Sequence, residues 1–244
     1  MKIGIQCLAY NCAETFLELI SPWLKLKEEY DIKLWVGSGQ FKEYKELGYG
    51  DKNGTTLELL NELKSKGDID YVWTPEPNNL LSDHETRNQC LPYFKEEDID
   101  VMIQLDADEF YTDQEALNLV KFIEENPQHS VYNVVYNNII GDGEEVDWKR
   151  FAAAWIKRHG GIRRYYFDMH WGYWGDGENH IEYRSAPITT IPKELVNPTH
   201  YTWTNDKNTT GPSHVKEKMR YQERIYSGGC GYKWDEEKQT VVRK

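Results

Sequence analysis

Cysteine is scarce and scattered. The four in this 244-residue chain, Cys7, Cys12, Cys90 and Cys230, include no CxxC pair, so they offer neither the ligand spacing of a structural zinc site nor a disulfide framework. They read as ordinary reduced thiols. Long hydrophobic runs are also missing: no apolar stretch approaches the ~20 residues that a spanning helix needs. The opening Met1-Lys2-Ile3-Gly4 leads straight into a strand-like segment instead of a signal peptide, and the expected location is cytoplasmic. Positive charge is the minority sign, with 29 Lys and Arg against 41 Asp and Glu and a formal net charge of −12. A nucleic-acid partner needs a concentrated basic face, which the short pair Arg163-Arg164 does not supply. No internal repeat or low-complexity segment is visible.

What is present is a globular composition, 39% hydrophobic with nine Trp and seventeen Tyr, in a chain long enough for one large α/β domain. Lys2 to Ala9 reads as a buried strand, and a helical stretch follows from Ala13. The alternation continues with a strand over Ile32–Val36, a helix over Thr56–Leu63 and a strand over Ile69–Trp73. Ser82 with Glu85 forms a capping box for a helix through Leu91, Val101–Leu105 is a fourth strand, and Thr112 with Glu115 caps a helix to Glu125. This order predicts a mainly parallel sheet with helices on both faces and ligands outside the carboxyl ends of the strands, where Tyr10, Asn11, Gly37, Pro75 and Asp106 stand. Val131–Ile140 is a long strand. Beyond it, an irregular second half is expected, rich in aromatics from Trp148 to Trp174, with an amphipathic helix from about Ser213 to Tyr226.

The sharpest feature is Val101-Met102-Ile103-Gln104-Leu105-Asp106-Ala107-Asp108-Glu109-Phe110, a buried strand ending in three carboxylates. In an extended segment Asp106 and Asp108 project to the same side and can address one hard cation, leaving positions open for phosphate oxygens. A calcium loop starting at Asp106 needs Gly at its sixth place and Glu at its twelfth, but those places hold Tyr111 and Leu117. Phosphatases with a strand-end DxD usually carry it at the start of the chain, followed by Thr or Val where Phe110 stands. The bland alternative is a solvated turn with an Asp cap.

Three pieces in order, Ala9-Tyr10-Asn11, Glu85-Thr86-Arg87-Asn88-Gln89-Cys90-Leu91 and Leu105-Asp106-Ala107-Asp108-Glu109-Phe110, resemble family 2 glycosyltransferases of GT-A fold over about the first 130 residues. Pro198-Thr199-His200-Tyr201-Thr202-Trp203 resembles the His-aromatic segment that closes the site in many members. The resemblance implies a GT-A-type α/β fold, with residues 1–130 binding the donor and 131–244 forming an acceptor half of the same domain. It implies transfer of a hexosyl-type group from a UDP-, GDP- or dTDP-sugar to a hydroxyl of a saccharide or other acceptor, with Mn2+ or Mg2+ and inversion at the sugar carbon. Ala9, Tyr10 and Asn11 would line the base pocket, and Arg87 would reach the base or diphosphate. Asp106 would sit near the ribose or the metal, Asp108 would ligate the metal, and Glu109 would support them. His200 can complete the metal shell through a neutral ring nitrogen. One departure is that the second strand ends Trp35-Val36-Gly37-Ser38-Gly39, where many members place an Asp for the base or ribose; Asp68 and Asp70 are substitutes or solvated loop acids.

An inverting transfer needs a group to take the acceptor proton. Asp168, His170, Asp176, Glu178 and His180 all lie in one aromatic stretch, and the glycines around Asp176 and Glu178 favour those two. Trp155, Trp171, Tyr173 and Trp174 can stack on sugar rings or fill a core, and His214, Lys216 and Arg220 can clamp phosphate or face solvent. Two competing functions are sugar-phosphate nucleotidyl transfer, which usually opens with a Gly-rich phosphate loop unlike Tyr10-Asn11-Cys12-Ala13-Glu14, and non-catalytic carbohydrate binding, which has no need of Asp106 and Asp108.

Overall fold

The computed structural model describes residues 1–40, 42–46, 54–76, 79–81, 83–140, 144–156, 174–175, 180–181, 187–202, 232–235, 237 and 240–243. In chain order these form β1 (Ile3–Ala9), α1 (Ala13–Leu26), β2 (Ile32–Ser38), α2 (Lys42–Glu46), α3 (Gly54–Lys66), β3 (Tyr71–Trp73), α4 (Asp83–Asn88), α5 (Cys90–Glu96), β4 (Val101–Asp106), β5 (Glu109–Phe110) and α6 (Asp113–Glu125). They continue with β6 (Val131–Ile140), β7 (Glu144–Trp155), β8 (Trp174–Gly175), β9 (His180–Ile181), β10 (Ile188–Thr190), β11 (Thr199–Thr202), β12 (Tyr232–Asp235) and β13 (Thr240–Arg243).

The main sheet has nine strands in the order β3-β2-β1-β4-β7-β6-β11-β5, with β10 added on β6. From β3 to β4 the pairing is parallel, as expected for strands joined through helices. Register aligns their carboxyl ends, Ala9 with Ser38 and Leu8 with Asp106, so one rim collects the turns after all four. Side chains alternate between faces: Ile3, Ile5, Cys7 and Ala9 join a core with Phe16, Leu19 and Trp23 of α1, Leu60 of α3, and Leu119 and Ile123 of α6. Leu8, Trp35 and Met102 face the other way, against Leu91 and Phe94 of α5. Gly4 lies under the Phe94 ring, where a Cβ would stand 2.8 Å from Cε1. The expected α/β class, with helices on both faces, is the fold observed.

Local chemistry sets the boundaries. Thr112 Oγ1 accepts from the Glu115 N–H at 3.2 Å while Thr112 N–H donates to Glu115 Oε2 at 2.8 Å, the reciprocal box read from the sequence. Ser82, the other expected cap, lies outside the described residues, as does the helix expected over 213–226. The single helix expected through Leu91 is instead two, broken at Gln89, because Pro92 has no N–H to give the Asn88 carbonyl.

The larger departure is β7. An irregular chain was expected from Trp148 onward, but Glu144–Trp155 is a strand, antiparallel to β6 along its length and to β4 at Val101–Ile103. It joins the parallel half of the sheet to β6, β10, β11 and β5. Its core-facing stretch Ala152-Ala153-Ala154 gives no period and its outer half is exposed and charged, so packing between two strands imposes the conformation that propensity does not. Among the described residues no helix is long and apolar enough to cross a membrane.

Candidate active site

The strand-end acids lie on the rim, but the segment is not extended through them. β4 stops at Asp106, Ala107 and Asp108 make a turn, and β5 pairs with β11. The Asp106 N–H donates to Glu109 Oε2 at 3.1 Å and the Tyr201 N–H donates to the Asp108 carbonyl at 3.0 Å. These bonds hold the turn closed. The carboxylates of Asp106 and Asp108, expected on one side, consequently meet different partners.

Asp106 sits between two arginines, with Oδ1 2.7 Å from Arg87 Nη1 and Oδ2 3.2 Å from Arg150 Nη2. Arg150 Nη1 is 2.7 Å from Glu109 Oε1. Burial would raise the Asp106 pKa, but Arg87 and then Arg150 outweigh it, and the carboxyl falls below its ordinary value. Glu109 is only 2% exposed, and burial pushes its pKa up, opposed by Arg150 and reinforced by the charges of Asp106 and Asp108. Its Oε2 also accepts from Tyr136 Oη at 3.1 Å, and Tyr136 shares a 2.7 Å bond with Tyr111. Burial works against the charge of Arg150, yet Glu109 and Asp106 prevail and hold the guanidinium firmly protonated.

Asp108 meets His200, with Oδ1 3.3 Å from Nε2. β11 supplies His200 because it lies between β6 and β5, setting His200 opposite Asn138 on one side and Glu109 on the other. His200 Nδ1 lies 2.6 Å from Asn138 Oδ1, and Arg150 Nη1 lies 3.2 Å from Nε2. Arg150 can only donate and Asn138 Oδ1 can only accept, contacts that favour the proton on Nδ1, whereas the Asp108 oxygen at 3.3 Å favours a proton on Nε2.

Asp108 Oδ1 and His200 Nε2 could supply two ligands of a divalent cation once Arg150 gives up its bond to Nε2; among the described residues no group of three or more His, Cys, Asp or Glu stands together to hold one. Two adjacent ligands of an octahedral ion at ~2.1 Å stand ~3.0 Å apart, close to the observed O···N separation. Asp106 differs, because each of its oxygens already faces a guanidinium.

The other expected residues divide by place. Ala9 is buried in the core at 1% exposure, whereas Tyr10 and Asn11 are half-buried where β1 leaves the sheet, Asn11 with a positive φ of 53°. Asp70 serves the scaffold, accepting from the Leu34 N–H and from Lys27 Nζ, both at 2.8 Å. Trp155 donates its indole N–H to Tyr132 Oη at 2.9 Å within the sheet. Asp168, His170, Asp176 and Glu178 lie outside the described residues, as do Trp171, Tyr173, His214, Lys216, Arg220 and the side chains of Trp174 and His180. Two residues that sequence reasoning passed over stand at the centre. Arg150 touches Asp106, Glu109 and His200, and Trp148, half exposed, lies beneath the Arg150 guanidinium at 5.4 Å with its ring 6.2 Å from that of His200. The only signal was their alternate spacing in Trp148-Lys149-Arg150, legible once β7 is known to be a strand.

No family model matches this chain, and no curated protein matches its sequence. Its fold is similar to solved structures. TarS of S. aureus, residues 1–349, aligns with a TM-score of 0.54 at 13% identity, covering 94% of this chain and 66% of that one. The same fragment with UDP-GlcNAc aligns with a TM-score of 0.52 at 13% identity over 94% of this chain and 68% of that one. The mannosyltransferase PcManGT of Pyrobaculum calidifontis, in complex with GDP-Man and Mn2+, gives 0.53 at 14% identity over 93% and 65%. The chain spans about two thirds of those structures and 44% of the longer TarS chain. At this identity the likeness establishes a fold shared with nucleotide-sugar-binding proteins.

Proposed function

We propose that the protein is a glycosyltransferase that moves a hexosyl-type group from a nucleoside-diphosphate sugar to an acceptor hydroxyl, with inversion at the sugar carbon. The observation that carries this reading is the Asp108–His200 pair, set at the carboxyl rim of the sheet beside an Asp106 clamped by two arginines. The resemblance of the strand-end motif to family 2 glycosyltransferases supports it. So does the fold shared with proteins solved with UDP-GlcNAc or with GDP-Man and Mn2+.

In this reading Tyr10 and Asn11 border the nucleobase on the rim, with Ala9 as the buried floor. Asp106 lies near the ribose and fixes Arg87 and Arg150 in place. Asp108 and His200 hold Mn2+ or Mg2+. The cation supplies Lewis-acid neutralisation of charge on the departing nucleoside diphosphate. Arg87 and Arg150 add fixed positive charge beside it. Asp176 or Glu178 takes the acceptor proton, with Asp168 and His170 as the other groups of that segment.

The test is a thermal-shift screen of UDP-, GDP- and dTDP-sugars with and without Mn2+, repeated on Asp108→Asn. Ligand at 100 times its Kd stabilises the folded state by about 2.7 kcal/mol, so a matching donor raises the parent Tm by several degrees only when Mn2+ is present. Asp108→Asn keeps the parent's unliganded Tm and loses that increment. A parent that responds to no donor, or an Asp108→Asn response equal to the parent's, would overturn the reading.

A further inference from the structure

The three acids of the turn do not face a cation on equal terms. Arg150 comes from β7, outside the motif, and its guanidinium reaches Glu109 at 2.7 Å, Asp106 at 3.2 Å and His200 Nε2 at 3.2 Å. It is stacked over Trp148 on one side and lies 5.8 Å from the Tyr136 ring on another. Its side chain is only 19% exposed, so water screens it little. Arg87 takes the other oxygen of Asp106. Asp108 Oδ1 stands 3.3 Å from His200 Nε2.

We propose that Arg150 is a positioning residue that acts as a built-in counter-cation of the strand-end acids: by taking Asp106 and Glu109 it keeps the metal at Asp108 and His200 and holds down the affinity for metal alone. The inference rests on the reading of Asp108 and His200 as metal ligands. A cation approaching His200 Nε2 comes within one ligand's width of the guanidinium, and the repulsion weakens its binding. The diphosphate then supplies the negative charge that Arg150 has cancelled. Metal and nucleotide are therefore taken together, each raising the affinity for the other by the same factor.

The experiment titrates Mn2+ into the full chain and reads the free ion by electron paramagnetic resonance, with no nucleotide, with UDP and with GDP. It is repeated for Arg150→Gln, Arg150→Lys and Asp108→Asn, with circular dichroism to confirm folding. The parent is expected to bind Mn2+ alone with a Kd of roughly 10⁻⁴ M or weaker, and more tightly with the nucleotide it uses. Arg150→Gln removes the counter-charge and should bind Mn2+ alone roughly tenfold tighter or more, while Arg150→Lys stays within about threefold of the parent. A merely structural Arg150 would give no such gain. The inference is overturned if the parent binds Mn2+ alone more tightly than that bound, if folded Arg150→Gln is no tighter than the parent, or if Arg150→Lys tightens as much as Arg150→Gln. Should Arg150→Gln fail to fold, Arg150→Met takes its place, with the same gain expected and the same absence of gain overturning the inference. Asp108→Asn that keeps parental binding of Mn2+ with nucleotide overturns the metal assignment itself. Loss in Asp108→Asn without a gain in Arg150→Gln overturns only the role of Arg150.

Discussion

Asp106 and Asp108 stand two positions apart and are set to different tasks by their neighbours. Asp106 is fixed by Arg87 and Arg150, whereas Asp108 meets the ring of His200. Function at this scale is tested by substitutions that change one group and keep its size. If Asp176 or Glu178 takes the acceptor proton, Asp176→Asn or Glu178→Gln lowers kcat by ~10²–10⁴-fold with nucleotide affinity unchanged, the signature of an interaction made only in the transition state. Steady-state transfer assays alongside nucleotide titrations check this, and near-parental turnover in both variants excludes the pair. The thiols give a second residue-scale expectation. Cys7, Cys12 and Cys90 are buried, and burial, aided by the charge of Asp108, pushes the Cys12 pKa up to about 12. At pH 8 its thiolate is then on the order of one part in ten thousand, against about a tenth for a thiol at 9.0, its ordinary value. Iodoacetamide labelling mapped by mass spectrometry should leave these three cysteines unmodified at pH 8 until urea unfolds the chain. Labelling of Cys12 in the native protein would contradict its burial.

At the scale of elements, the rim is built where strands end, and the turns after β2 and β3 approach closely. Gly39 has φ +156°, and a Cβ there would collide with the Pro75 ring. Gly39 follows directly on β2, and the backbone there is packed against its neighbour. Gly39→Ala should cost about 1–3 kcal/mol in urea unfolding, because Pro75 or the turn must move. It should also weaken nucleotide binding, since the displaced turn borders Tyr10 and Asn11. A parental urea midpoint would show that the turn yields without strain. The capping box of α6 and the break at Gln89 show the same scale from the other side, where local hydrogen bonding alone sets the boundary.

At the scale of the whole molecule, β7 is the seam. It pairs with β4 on one edge and β6 on the other, so the parallel half and the strands that deliver His200 form one sheet through it. Ala153 lies opposite both Ile103 and Tyr132, fully buried. Ala153→Pro removes its N–H from the ladder and forces its φ, at a cost of about 3 kcal/mol or more. The expected outcome is loss of the single cooperative melt and of Mn2+-dependent donor binding together, followed by circular dichroism and thermal shift. A soluble variant that melts as the parent does would show that the two parts of the sheet hold together without this ladder.

The sequence by itself determined the alternation of strands and helices over the first 130 residues, the capping box at Thr112 and the place of Asp106 and Asp108 at the end of a buried strand. These follow from hydrophobic period and short-range hydrogen bonding, which operate between residues close in the chain. Only the tertiary structure decided that Asp106 is shared by Arg87 and Arg150, that His200 faces Asp108, and that Trp148 and Arg150 belong to the site. Arg150 lies 44 positions from Asp106, in a strand of charged residues and alanines whose conformation comes from its neighbours in the sheet. Electrostatic pairing depends on distance in space, and sheet order sets that distance here.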